Sequence, residues 1–276
     1  MKKITAMLFV TGAIVSLSSC YKKYDPTTNQ PAFTINGYTS VASIGSGSLV
    51  GYWAFDGSYI DSVSKTAATG EKTSFVAGFK GQALKGGAGA YAISDLPNAI
   101  KNLNSFTIDY WLNVPQNATS GILAPIVISR TNEFWGALDM FFENNSTANT
   151  GNLKVHFNGQ SEVWFTNGIL QNPWNTWQNI ALTYDAGTST FTLYQNGSLV
   201  ATQTAAGLGN LVFPATATKL IFGAEQFQTT PSLGTAGGPQ SWAGYLSGMM
   251  DEVRIYNKAL SASDIQALIV LQGKGK

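Results

Sequence analysis

The chain has 276 residues, of which 44% are hydrophobic and 11% charged, with a formal net charge of +1. A charged share so far below the usual ~25% leaves Asn, Thr, Ser and Gly to supply surface polarity. Without a basic patch to release counterions, neither nucleic acid nor an acidic polymer is expected as a partner, and hydrogen-bonding partners fit better.

Residues 1–20 stand apart from the rest. Lys2 and Lys3 form a positive start, Ile4 to Leu17 is an apolar run too short to span a bilayer as a mature helix, and Leu17-Ser18-Ser19-Cys20 closes it. This resembles a bacterial lipoprotein signal with its Leu-x-x-Cys lipobox. The resemblance implies a signal peptide over 1–19, acylation of the Cys20 thiol, and an exported protein held on a membrane it does not cross. The expected location is the cell envelope, with the outer membrane favoured. Cys20 is the only cysteine, so the mature chain has no disulfide, and 276 − 19 = 257 residues must be stable on their core alone. From Cys20 to Gly47, Pro26, Pro31 and small polar residues without periodicity read as a flexible tether over 20–47, which leaves a folded domain over 48–272.

From Leu49 onward short strands and turn signals recur. Phe106, Ile108, Tyr110, Leu112 and Val114 line one face of a strand, opposite Thr107, Asp109, Trp111 and Asn113. Leu138, Met140 and Phe142 oppose Asp139, Phe141 and Glu143; Leu153, Val155 and Phe157 oppose Lys154, His156 and Asn158. Between Trp174 and Ala201 the two-residue period marks three antiparallel strands, with Asn196-Gly197 as a type I′ turn that sets Leu193 against Leu199. Ser261 can cap a short C-terminal helix whose stripe is Ile265, Leu268 and Ile269, with Asp264 at the positive end of the dipole. The class is all-β, a two-sheet antiparallel sandwich.

Four blocks in order carry a family resemblance: Tyr52 to Gly57 with Gly78 to Leu84, Ser105 to Leu112, Trp177 to Asp185 with Leu193 to Val200, and Asp251 to Ser261. Together they resemble the laminin-G-like (LamG) domains of the concanavalin A-like lectin/glucanase superfamily over roughly Ser48 to Leu268. The resemblance implies a jelly roll. It does not choose a function, because the same fold carries lectins, glycosidases, lyases and adhesion modules.

Glycosidases need two carboxylates about 5–10 Å apart, and the Glu-x-Asp-x-(x)-Glu strand of laminarinase-type relatives is missing here. Asp139 and Glu143 come nearest to it but straddle Phe141 and read as two solvated positions on an outer face. His156, the only histidine, builds no convincing Ser-His-Asp set or metal cluster. Catalysis is therefore not expected. A sugar-binding site needs aromatic faces beside neutral hydrogen-bonders. Trp135, Trp164, and Trp242 with Tyr245 qualify, and Trp111, Asp109 and His156 join them as candidates on outward faces. Trp53 and Trp177 read as packing, and Trp174 as a turn plug. Trp111 is either the floor of a concave face or covered by a loop. Asp251 shares a strand side with Val253 and Ile255, so its carboxylate must be hydrogen-bonded or metal-bound. Asp56 and Asp251 are thus candidate ligands of a structural Ca²⁺, weighed against backbone capping. The expected function is glycan or polysaccharide binding by a lipid-anchored protein. A module that binds a protein partner is the alternative, and a glycosidase or lyase with an unfamiliar site a further one.

Overall fold

Alternating apolar and polar side chains draw the chain into two antiparallel sheets whose apolar faces meet. The computed structural model describes residues 32–116, 121–143 and 146–276, and the expectations for the signal segment and Cys20 lie outside them. Among the described residues the first sheet has eight strands. Its order is β13 (Ser198–Thr204), β12 (Thr190–Gln195), β11 (Gln178–Asp185), β6 (Phe106–Asn113), β15 (Met249–Tyr256), β4 (Gln82–Lys85) and β3 (Ser74–Ala77), and β1 (Leu49–Trp53) also pairs with β15. The second sheet has seven: β10 (Glu162–Gln171), β9 (Thr150–Asn158), β8 (Leu138–Phe142), β7 (Leu123–Ile128), β14 (Lys219–Phe222), β5 (Tyr91–Asp95) and β2 (Ala68–Glu71). Phe106, Ile108, Tyr110 and Leu112 meet Leu138, Met140, Phe142, Leu153, Val155 and Phe157 in one core. The sequence periodicity thus assigned the inward faces correctly.

Two registers differ from expectation. Asn196 and Gly197 do occupy positive φ, at 49° and 80°, as a type I′ turn requires. A two-residue turn, however, pairs Gln195 with Ser198 and Tyr194 with Leu199, and a bulge then sets Leu193 against Ala201, leaving Leu199 60% exposed. In β15 a bulge lies between Asp251 and Arg254, where Glu252 has φ 53°. The extra residue reverses the alternation, so Val253 and Ile255 enter the core while Asp251 stands opposite Trp111.

Both outer faces are partly covered. Besides the short helix α1 (Asn98–Lys101), the chain has helix α2 (Ala262–Gly273), which lies over the first sheet and is begun by a reciprocal capping box between Ser261 and Asp264. It extends past Ile269 and buries Leu271 and Gln272. Part of the expected tether also folds here. Ile35, Tyr38, Val41 and Ile44 pack with Ile265, Leu268 and Leu271, and the Tyr38 hydroxyl donates to Asp264 Oδ1 at 2.7 Å. The folded unit therefore begins near Thr34 rather than at residue 48. These residues look like a linker in composition because their apolar members are sparse and find partners only across the sandwich. The outer face of the second sheet is covered by the 224–245 segment, whose Phe227 and Ala243 pack on Phe141, Val127 and Ile221.

Candidate functional site

Three neighbouring strands build the floor. The registers of β8, β9 and β10 place Asp139 opposite His156, and His156 opposite Trp164, in one row across the outer face of the second sheet. His156 is fully buried: its Nδ1 lies 2.9 Å from Asp139 Oδ2 and its Nε2 lies 3.1 Å from Glu162 Oε1. The Trp164 ring stacks on the imidazole at 3.9 Å and 19°, and its Nε1 donates to the same Glu162 oxygen at 3.1 Å. Trp164 is thus a fixed indole with 36% of its surface in solvent.

Two loops bring in the other indoles. Trp135, between β7 and β8, stacks on Phe141 at 5.4 Å and meets Trp164 edge-on at 5.8 Å. Trp242 lies 6.2 Å from Trp135 and is 42% exposed. With Ile122 and the Glu143–Lys154 ion pair (2.6 Å) they line a cleft of about 480 Å³. Trp164 also borders a second groove of about 390 Å³, lined by Ser161, Glu162, Val163, Gln203 and the loop from Ala205 to Leu208.

What fixes both loops is a 3₁₀ turn, Gln226–Gln228, that the sequence reading did not single out. The buried Gln226 accepts from Arg130 N (2.7 Å), and its Nε2 sits within 3.1 Å of the carbonyls of Arg130, Glu133, Phe134 and Trp135. Gln228 donates to Ala243 O at 2.7 Å and accepts from Gln240 N. Phe227 fills the space between, 5.7 Å from Trp135 and 5.3 Å from Trp242. Two glutamines around an aromatic residue just after a strand were the available signal. Amides in loops are common, so it is weak. The Trp242 loop is further fastened by a parallel bridge between Ile122 and Ala243. Gly121, at φ 75°, permits this, since a Cβ there would collide with the Trp242 carbonyl.

Glu225, in the covering 224–245 segment, sits fully buried next to Asp139. Burial first, then the Asp139 charge, hold its carboxyl well above the usual carboxylate range. Asp139 is itself fully buried and accepts from Gly136 N at 2.9 Å. This corrects the reading of Asp139 as solvated: the 224–245 segment covers it. Glu143 is tied to Lys154. This carboxylate pair therefore has one member out of reach and the other already engaged.

The remaining candidates disperse. The Tyr245 hydroxyl donates to Gln228 O at 3.0 Å, so Tyr245 fastens the Trp242 loop and does not line the cleft. Trp111 and Asp109 lie on β6 in the other sheet. Phe79 stacks on Trp111 at 3.5 Å and α2 covers it, with Nε1 donating to Gln272 Oε1; of the two expectations, the covered one holds. Asp109 is buried and accepts from Asn179 Nδ2 at 2.7 Å. Burial pushes its carboxyl up to about 7 although the Asn179 hydrogen bond opposes the shift. Asp251 Oδ2 accepts from Lys80 N at 2.9 Å and Asp56 Oδ1 from Gln82 N at 2.6 Å, so both carboxylates brace the 78–82 turn. Among the described residues no three acidic, histidine or cysteine side chains converge to hold a metal ion. Trp53 is core, and Trp174 plugs its turn by donating to Thr147 O at 2.7 Å.

Residues 85–266 match a laminin-G family model described as the concanavalin A-like lectin/glucanases superfamily. No curated protein matches the sequence. Among solved structures, the chain is similar to domain 4 of AbnA, a GH43 extracellular arabinanase from Geobacillus stearothermophilus, in complex with arabinotriose. Identity is 18%, the TM-score 0.54, and the match covers 80% of this chain and 98% of that one. It is also similar to the binding domain of Paraclostridial Mosquitocidal Protein 1 (14% identity, TM-score 0.58, 80% and 52% covered). A third likeness is to the ligand binding domain of botulinum neurotoxin serotype D in complex with N-acetylneuraminic acid (14%, 0.59, 83% and 52%). The chain spans about half the length of the two toxin domains, and at these identities the likeness is one of fold.

Proposed function

Because the chain belongs to the concanavalin A-like lectin/glucanases superfamily, we propose that its aromatic cleft binds glycan without catalysing a reaction on it. One observation carries this reading. Trp135, Trp164 and Trp242 come from three separate segments and line one cleft that ends in the Glu143–Lys154 pair. Flat indoles suit the C–H faces of sugar rings, and the ion pair offers both acceptors and donors to hydroxyls. Solvent-exposed tryptophans clustered on a covered sheet face are costly unless something binds them. The carbohydrate ligands in the arabinanase-domain and toxin-domain structures support the reading at the level of fold. The non-catalytic part rests on the burial of Asp139 and the engagement of Glu143 by Lys154.

We further infer that the domain works as an exported lipoprotein, with a signal over 1–19, lipid on Cys20, a tether shortened to about 20–33, and an outer-membrane location. Labelled fatty acid should enter the protein in its native host, and Cys20→Ala should abolish incorporation. A screen of glycan arrays and soluble polysaccharides tests the binding reading. Trp164→Ala and Trp242→Ala should each weaken binding about tenfold, roughly 1.4 kcal/mol, with the melting temperature retained. Unchanged glycan affinity in both variants would remove the cleft as the site. A folded protein silent on the whole panel would shift the assignment to a protein partner.

A further inference from the structure

The 390 Å³ groove beyond Trp164 is separate from the aromatic cleft but shares its wall, because the one indole lines both. Both volumes fall in the range of ~300–1,000 Å³ usual for ligand sites. The two sides differ in chemistry. The cleft is walled by Trp135, Phe141 and Trp242, whereas the groove offers Ser161, Glu162, Gln203 and the turn at Gly207. Trp164 between them cannot swing aside without giving up its stack on His156 and its bond to Glu162. Gln203 Nε2 also donates to Trp164 O at 2.9 Å, which ties the groove wall on β13 to the indole's own backbone.

We propose that the groove is a second sugar subsite, so that a glycan chain crosses Trp164 and the protein recognises a chain interior rather than a single terminal sugar. This rests on the glycan reading of the cleft. Charge narrows the ligand further. The groove carries the Glu162 carboxylate, 58% exposed, while Glu143 and Lys154 in the cleft cancel. The combined surface is thus net negative, which favours neutral polysaccharides and disfavours uronate or sulfate chains through like-charge repulsion.

Neutral oligosaccharides of one to six units, cut from arabinan, xylan, glucan and mannan, test this by titration calorimetry, with oligogalacturonates as the anionic control. For the series that binds, affinity should rise at least tenfold from the disaccharide to the tetrasaccharide. Ala206→Trp fills the groove from an exposed loop position, and should remove that gain while leaving disaccharide affinity unchanged. Glu162→Gln keeps an acceptor for the Trp164 indole and should raise affinity for the anionic series relative to the neutral one. A plateau at the disaccharide in the wild type, or equal losses at both lengths in Ala206→Trp, would overturn the second subsite and leave the cleft standing. Failure of every oligosaccharide and parent polymer to bind folded protein would overturn both.

Discussion

At the scale of single residues, the site depends on small groups that touch no ligand. Gly121 lets the Trp242 loop approach β7, and substitution there meets both a steric clash and an unfavourable positive φ. Gly121→Ala should therefore reproduce the affinity loss of Trp242→Ala, measurable on the same glycan, although the new methyl contacts no sugar. Asp109 makes a different kind of prediction. Its folded-state pKa of about 7 exceeds the ordinary 3.8, so the folded state holds the proton more tightly than the unfolded one. The stabilisation is fully present below about pH 4 and is lost as pH rises through 7. Asp109→Asn carries no titratable group and still accepts from Asn179. Melting temperature recorded from pH 4 to 8 should fall less steeply in the variant than in the wild type.

Single tryptophans were legible in the sequence only in part. Residue type beside hydrogen-bonding neighbours selected Trp135, Trp164 and Trp242, and the structure gathers them, Trp164 from strand β10 and the other two from loops. The same reasoning also selected Trp111, Asp109 and Tyr245, which serve packing. Strand periodicity tells which way a side chain points. It does not tell what lies over it.

At the scale of elements, α2 is held by its capped N-terminus and its buried face. Ser261 accepts from Asp264 N at 3.1 Å, and Asp264 in turn accepts from Ser261 N and from Tyr38. Burial pulls the Asp264 carboxyl upward, but the Tyr38 and Ser261 hydrogen bonds outweigh it and hold it below the usual carboxylate range. Ser261→Ala should cost about 1 kcal/mol of unfolding free energy in a denaturant titration. The Ser261 cap and the place of Asp264 in the first turn were legible because they are local, whereas the reciprocal bond from Ser261 N to Asp264 came from the structure. The bulges in β13 and β15 were not, because a bulge is a mismatch between two strands and neither strand shows it alone.

For the whole molecule, the boundary and the metal question are the testable points. A chain starting at residue 48 loses Ile35, Tyr38, Val41 and Ile44 from the cluster on α2. It should melt several degrees below a chain starting at residue 32. Equal melting temperatures would return 34–47 to the tether. Calcium removal should change neither melting temperature nor glycan affinity, because Asp56 and Asp251 already hold the 78–82 turn through backbone N–H groups. A loss of either property in chelator, restored by calcium, would make those two carboxylates metal ligands.

By itself the sequence determined the class, the family, the inward faces of β6, β8 and β9 and the C-terminal helix. Each follows from patterns that repeat within a few residues: the two-residue strand period, turn residues at a fixed offset, a cap next to its helix. Only the tertiary structure decided which outward faces are covered, and so which tryptophans reach solvent. It joined Asp139, His156 and Trp164 across three strands and let Gln226, Phe227 and Gln228 position two loops from below. Those contacts link residues far apart in the chain, and their geometry exists only once strand order and register are set.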